Sequence, residues 1–243
     1  AGADPIALKR LELTLLELAA EHGSVPIQLS PVAPLGCSSA MATVDQHKVI
    51  SALRGTEVVS DATNLMALHI ARLKKSAPDA HAGTLRYSTT HRHVRAQYFG
   101  DVPGMLPHFH VFCLATAGED AGSYGFEQQA FVEHVAIYRE FFQTAFGSDT
   151  AIAVSPRPGY KDSDGFIRRL LAFGESAGIR VTLNEPDWDN RYYLGLRFSI
   201  TTTIRGTEVP IGDGGFVDWT QKLLGRKKER MLISAIGLDR LLG

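Results

Sequence analysis

Leu85-Arg86-Tyr87-Ser88-Thr89-Thr90-His91-Arg92-His93-Val94-Arg95 is rich in β-branched and aromatic residues, which predicts a strand over residues 85–94. A second such run, residues 109–116, follows a connection that contains Gly100, Pro103, Gly104 and Pro107. That connection is longer than a hairpin needs, and long loops in compact domains tend to carry function. Alternation by two puts Arg92 and Val94 on one face of the strand and His91, His93 and Arg95 on the other. An arginine projecting from a strand beside a long loop suits a phosphate clamp, because the guanidinium meets phosphate oxygens in pairs.

Outward from this pair, apolar residues at Ile6, Leu8, Leu11, Leu15, Leu18 and Ala19 predict a helix over residues 5–22, stopped by Gly23. Residues 25–29 read as a short strand closed by Ser30-Pro31, then by Pro34 and Gly36. Residues 62–75 predict a helix ending in Arg72, Lys74 and Lys75. Toward the C-terminus the pattern gives a helix over 126–146, a strand over 151–155, a helix over 166–174 and a strand over 179–183. Residues 192–204 and 207–211 form a hairpin about Arg205-Gly206, followed by the turn Gly212-Asp213-Gly214-Gly215 and a helix over 216–224. A strand over 231–236 leads into a helix begun at Gly237-Leu238-Asp239-Arg240. The sum is an α+β class chain with a mixed, mainly antiparallel sheet backed by helices. No composition break marks a linker, so a single domain over 1–243 is expected.

The 243 residues are 44% hydrophobic and 21% charged, and 25 Lys and Arg against 26 Asp and Glu leave a formal charge of −1. These values exclude disorder, collagen and a disulfide scaffold. They also leave no global field to draw a polyanion. Cys37 and Cys113 lie in apolar stretches without CxxC or Cys/His spacing, as expected of buried free thiols in a reducing cytosol. No apolar run approaches the ~18–20 residues of a membrane span. The acidic amphipathic N-terminus is unlike a secretory signal, so a cytoplasmic protein with no membrane contact is expected. The basic runs Arg72-Leu73-Lys74-Lys75 and Arg226-Lys227-Lys228-Glu229-Arg230 read as solvated helix ends and turns, not as a nucleic-acid surface.

No GxGxxG follows a strand, and P-loop, GxSxG and HExxH patterns are absent. His91, His93, His108 and His110 could converge if their strands pair. Alternation assigns them to the face opposite Arg92, expected to pack on helices, so no metal site is expected. Asp162-Ser163-Asp164-Gly165 lacks the later Glu of an EF-hand and fits a helix N-cap.

Taken in order, three elements resemble the signature motifs of class II aminoacyl-tRNA synthetases, the histidyl branch in particular. They are the helix and strand ending at Ser30-Pro31, the strand 85–95 with its return at Phe109-His110, and Ala235-Ile236-Gly237-Leu238-Asp239-Arg240-Leu241. Ser60-Asp61-Ala62-Thr63 resembles that family's Pro-Glu-Gly-Thr turn, Arg191-Tyr192-Tyr193 its Asp-Tyr-Tyr strand, and Gly214-Gly215-Phe216-Val217-Asp218 its Gly-Gly-Arg-Tyr-Asp turn.

The resemblance implies a six- or seven-stranded antiparallel sheet flanked by helices, a homodimer built through the motif-one region, and a site for ATP and Mg²⁺ over the sheet. Arg92 would hold the α-phosphate, and Arg240 would lie against the adenine and γ-phosphate. Asp61, with Thr63 beside it, would bind a substrate ammonium group, and Tyr192, Tyr193, Gly214 and Gly215 would line the substrate pocket. Catalysis at phosphorus relies on positioning and charge, which suits arginines. Val94 stands where the family has a motif-two Glu, and Val111 and Ala115 stand where it has its recognition Gln and Glu. The chain also stops at motif three, without an anticodon-binding domain. The expectation is therefore a protein that activates a small carboxylate or amino acid as an adenylate without charging tRNA by itself. The alternative is a catalytically silent paralogue resembling the regulatory subunit of ATP phosphoribosyltransferase.

Overall fold

The computed structural model describes residues 4–96 and 107–242. Helix α1 (Pro5–Glu21) starts where Asp4 accepts the Ile6 N–H and proline takes the first helical position, which needs no donor. There follow β1 (Val25–Pro26), β2 (Val32–Pro34), α2 (Cys37–Met41), β3 (Ser51–Ala52), β4 (Thr56–Val58), α3 (Ala62–Ser76), β5 (Leu85–Val94) and β6 (His108–Glu119). The second half holds α4 (Gly125–Phe146), β7 (Thr150–Pro156), α5 (Ser163–Ser176), β8 (Val181–Leu183), β9 (Leu194–Ile204), β10 (Thr207–Val217), α6 (Trp219–Leu224), β11 (Glu229–Gly237) and α7 (Asp239–Leu242).

The main sheet runs β1-β5-β6-β11-β10-β9-β7-β8. Its six inner strands pair antiparallel, as expected, and a parallel strand at each edge raises the total among the described residues to eight. Alternation along β6 sends Phe112 and Leu114 into a core with α1, α4 and α5, and Val111, Cys113 and Ala115 into a second core with α3 and α6. Burial on both sides explains why β6 over residues 111–117 and β11 over residues 231–236 are almost continuously apolar. Helices α3 and α6 cover only part of the second face, and the remainder is an open cleft.

Several elements depart from the sequence reading. The strand expected over 25–29 pairs only at Val25 and Pro26, since Pro26 and Pro31 have no N–H for a ladder. A second sheet, β2-β4-β3, was not expected at all; its hairpin turns through Arg54 and Gly55, both at positive φ. Gly212-Asp213-Gly214-Gly215 is not a turn but the middle of β10, paired to β11 on one side and β9 on the other. Glycine is required there by neighbours: a Cβ on Gly214 would lie 2.5 Å from the Ser234 Cβ, and one on Gly215 would lie 2.6 Å from the Leu196 carbonyl oxygen. The basic runs are not uniformly solvated either. Lys74 is buried and pairs with buried Glu229 at 2.7 Å, because α3 packs against α6 and the start of β11.

The β9–β10 turn, the α5 cap and the two thiols are as the sequence predicts. Arg205 and Gly206, at φ 50 and 80, make the left-handed pair that a tight hairpin needs. Asp162 caps α5 by accepting the Gly165 N–H, and both cysteines are buried and free. Among the described residues, no helix is long and apolar enough to cross a membrane, and no three His, Cys, Asp or Glu side chains converge as a metal site.

Candidate functional site

The cleft over the second face has a volume of about 820 Å³, within the range of small-molecule sites. Its floor is the run Ile233 to Gly237 of β11 beside Pro210 to Asp213 of β10. One wall carries His93, Arg95 and Phe109 at the open ends of β5 and β6 with Asp61 at the head of α3; the other carries Tyr192, Tyr193 and Arg197.

Asp61 is held from three directions. Its Oδ1 accepts the Thr63 N–H at 2.9 Å, which caps α3, and the Thr63 hydroxyl at 2.6 Å; its Oδ2 accepts the Tyr192 hydroxyl at 2.7 Å. A carboxylate offers about four acceptor positions, so one is left unused among the described residues. Burial pushes the Asp61 carboxyl up, but His93, Arg95 and the bonds from Thr63 and Tyr192 outweigh it and hold the group below its usual range. Burial also pushes the His93 imidazole down to about 3, so near neutral pH it carries no charge, and Arg95 with the hydrogen bonds keeps Asp61 ionised. His93 Nε2 accepts the Ala62 N–H at 2.8 Å, which assigns the ring proton to Nδ1. That atom has no partner among the described residues.

A second acid–tyrosine pair stands nearby. Tyr193 donates to Asp213 at 3.0 Å, and Arg197 Nε meets the other Asp213 oxygen at 2.9 Å. Burial and the neighbouring carboxylates push both tyrosine phenols well up, so they remain donors. The segment that delivers the two tyrosines is anchored by buried Arg157, whose Nη1 lies 3.1 Å from Asp187. Arg95 donates through Nε to the Ser60 carbonyl at 3.2 Å, and its guanidinium carbon lies 5.1 Å from the centre of the Phe109 ring. Its terminal nitrogens have no partner among the described residues. Arg240, in α7 as expected, lines the cleft and donates to the Pro210 carbonyl at 2.7 Å.

The structure therefore brings Asp61, Thr63, Tyr192, Tyr193 and Arg240 together. It does not bring Arg92, Gly214 or Gly215 to them. Arg92 pairs in register with His110 on the face of Phe112, is exposed, and lies 2.9 Å from His108. Gly214 and Gly215 serve the close approach of strands beneath the cleft and do not line it. The four histidines divide as well: His91 and His93 face the α3 side, while His108 and His110 share the face of Arg92, because β5 and β6 pair Arg92 with His110 and Val94 with His108. Among the cleft residues that the motif reading passed over are Arg95, His93, Asp213 and Arg197. The common parity of His93 and Arg95 is a signal for those two residues, and none in the sequence marks Asp213 or Arg197.

No family model and no curated protein matches this sequence. Solved structures do. A histidyl-tRNA synthetase of S. aureus superposes with a TM-score of 0.73 at 14% identity, over 100% of this chain and 67% of its own. An ATP phosphoribosyltransferase regulatory subunit/histidyl-tRNA synthetase of Bacillus halodurans gives 0.72 at 13%, over 96% of this chain and 78% of its own. A histidine–tRNA ligase subunit of Alicyclobacillus acidocaldarius gives 0.70 at 13%, over 100% and 94%. At these identities the likeness concerns the fold, and the chain has the class II aminoacyl-tRNA-synthetase-like fold found in histidyl-tRNA synthetases.

Proposed function

We propose that this chain binds an amino-acid-like zwitterion in the cleft and serves as a ligand-sensing regulatory paralogue that does not itself charge tRNA. The observation that carries this reading is the pairing of Asp61 with Arg95 on one wall. Asp61 is kept ionised and retains one acceptor position, and the terminal nitrogens of the Arg95 guanidinium have no partner among the described residues. An ammonium group completes the first and a carboxylate of the same ligand meets the second. Val32, Leu35 and Leu53, at or beside the three-stranded sheet, are exposed, and such a patch supports self-association through the motif-one region as a homodimer. Isothermal titration with a panel of amino acids, each beside the matching amine and the matching acid, tests the ligand class. Saturable binding of an amino acid but of neither fragment is expected, and no binding across the panel refutes it.

Arg95 and Arg240 on one cleft favour a second reading, adenylate formation, in which the two arginines would hold ATP phosphates and ATP would supply pyrophosphate as leaving group. Mg²⁺ fits less well, since no metal-binding trio exists among the described residues and Asp61, Asp213 and Asp239 are each engaged by donors. Pyrophosphate exchange that depends on an added carboxylate distinguishes this reading from simple sensing.

A further inference from the structure

Beside the two tyrosines the cleft holds a second polar pair, Arg197 and Asp213. Alternation puts both on the cleft side of the sheet. Leu196 and Phe198, the strand neighbours of Arg197, enter the opposite core, and a Cβ on Gly214, next to Asp213, would lie 2.5 Å from Phe198 Cζ on that same side. Both side chains line the cleft and are open to solvent, Arg197 being 40% exposed and Asp213 37%.

Their mutual bond engages only part of each. Arg197 gives Nε to Asp213 at 2.9 Å, and its two terminal nitrogens have no partner among the described residues. Asp213 takes one donor on each oxygen, from Tyr193 and from Arg197, so about two of its four acceptor positions are unused among the described residues. The pair therefore offers donors and acceptors side by side and carries no net charge. A charged ligand group is drawn by one member and repelled by the other. A carboxamide meets both, because its oxygen accepts and its N–H donates while it stays neutral. An apolar group displaces water from both and replaces none of its hydrogen bonds.

The pair also adjoins the wall of Asp61. Tyr192 holds Asp61 and Tyr193 holds Asp213, with the ring centres 4.8 Å apart, and each carboxylate pushes up both phenols.

We infer that Arg197 and Asp213 form the side-chain subsite of the cleft and select an amino acid that ends in a carboxamide, its oxygen on the Arg197 terminal nitrogens and its N–H on Asp213. This rests on the reading of Asp61 and Arg95 as the ammonium and carboxylate sites. Isothermal titration of the full chain with glutamine, asparagine, glutamate, aspartate, histidine, leucine and alanine tests it. At least one amide is expected to bind about tenfold or more tighter than alanine and than the acid of its own length, since a site built to hydrogen-bond a group rejects analogues that lack it. In Arg197→Met, with its fold checked by circular dichroism, the preference of that amide over alanine shrinks to within about threefold. The wild-type panel decides without the variant should it fail to fold. If the acid, alanine or any other member of the panel binds as tightly as the better amide, the subsite is wrong and the amino-acid reading stands; if none of the seven binds, both are wrong.

Discussion

Asp61→Asn separates the charge of the cleft wall from its architecture. The aspartate caps α3 through the Thr63 N–H at 2.9 Å and takes the Tyr192 hydroxyl at 2.7 Å. Asparagine caps helices about as well as aspartate, so its oxygen keeps the Thr63 N–H. Its amide nitrogen then faces the Tyr192 oxygen, which accepts once the hydroxyl has rotated. The structural cost stays near about 1 kcal/mol, a fall in Tm of about 2–4 °C for a chain of this size. Ligand binding loses more, because a hydrogen bond to a charged group contributes about 1.5–3 kcal/mol, or roughly ten- to hundredfold in affinity. Isothermal titration with the tightest amino acid of the panel and a circular dichroism melt read the two quantities separately. An affinity unchanged within about threefold refutes Asp61 as the ammonium site. A Tm lowered by more than about 10 °C refutes the claim that asparagine preserves the cap.

The two arginines of the 92–95 stretch should behave oppositely: Arg95→Ala weakens amino-acid binding by about tenfold or more, whereas Arg92→Ala, on the other face, leaves it unchanged in the same titration. Burial holds the His93 and His134 imidazoles at about 3, against 6.5 for the free side chain. The unfolded chain therefore takes up protons below 6.5 that the folded chain refuses. The stability gained by keeping both rings neutral is full above that value and is lost as pH falls toward 3, at up to about 1.4 kcal/mol per unit for each ring. Burial raises the Glu57 carboxyl, but bonds from Ser38, Gln46 and Gly36 outweigh it and hold it below its ordinary 4.5, so its contribution drains only at lower pH. Urea unfolding at about pH 7.5 and about pH 5 checks this, and equal stabilities contradict the histidine assignment. Leu53→Glu, at a side chain 87% exposed, should convert a dimer into monomers in sedimentation analysis with no loss of folded structure; a wild type that sediments as a monomer removes the proposed interface.

What the sequence made legible is what local chemistry writes. Helix α1 has its apolar stripe and its Gly23 stop, β5 and β6 have their β-branched runs, and the β9–β10 hairpin has Arg205-Gly206 at its turn. Arg54-Gly55 carries the same signal for the β3–β4 hairpin, but strands of two or three residues show no periodicity to go with it. The glycines of β10 were misread because their cause is tertiary: neighbouring strands, not a bend, exclude a Cβ.

The site was legible only in part, for a related reason. Alternation divides residues between two faces but does not say which face stays open. It separated Arg92 from His93 and Arg95 correctly, and the motif resemblance then chose Arg92. The choice is made in space, where α3 and α6 leave the β5 and β6 ends uncovered on the side of Arg95. Tyr192 and Tyr193 make the same point from the other direction. Adjacent residues of a strand would point to opposite faces, yet both reach the cleft because they precede β9 on a bend, with ring centres 4.8 Å apart. Each then meets a carboxylate from a different element, Asp61 at the head of α3 and Asp213 inside β10. No spacing along the chain encodes a pair assembled by three distant segments, so a site of this kind becomes visible in sequence only through resemblance. Where resemblance and geometry disagree, as at Arg92 and Arg95, the residue that lines the cleft is the one to mutate first.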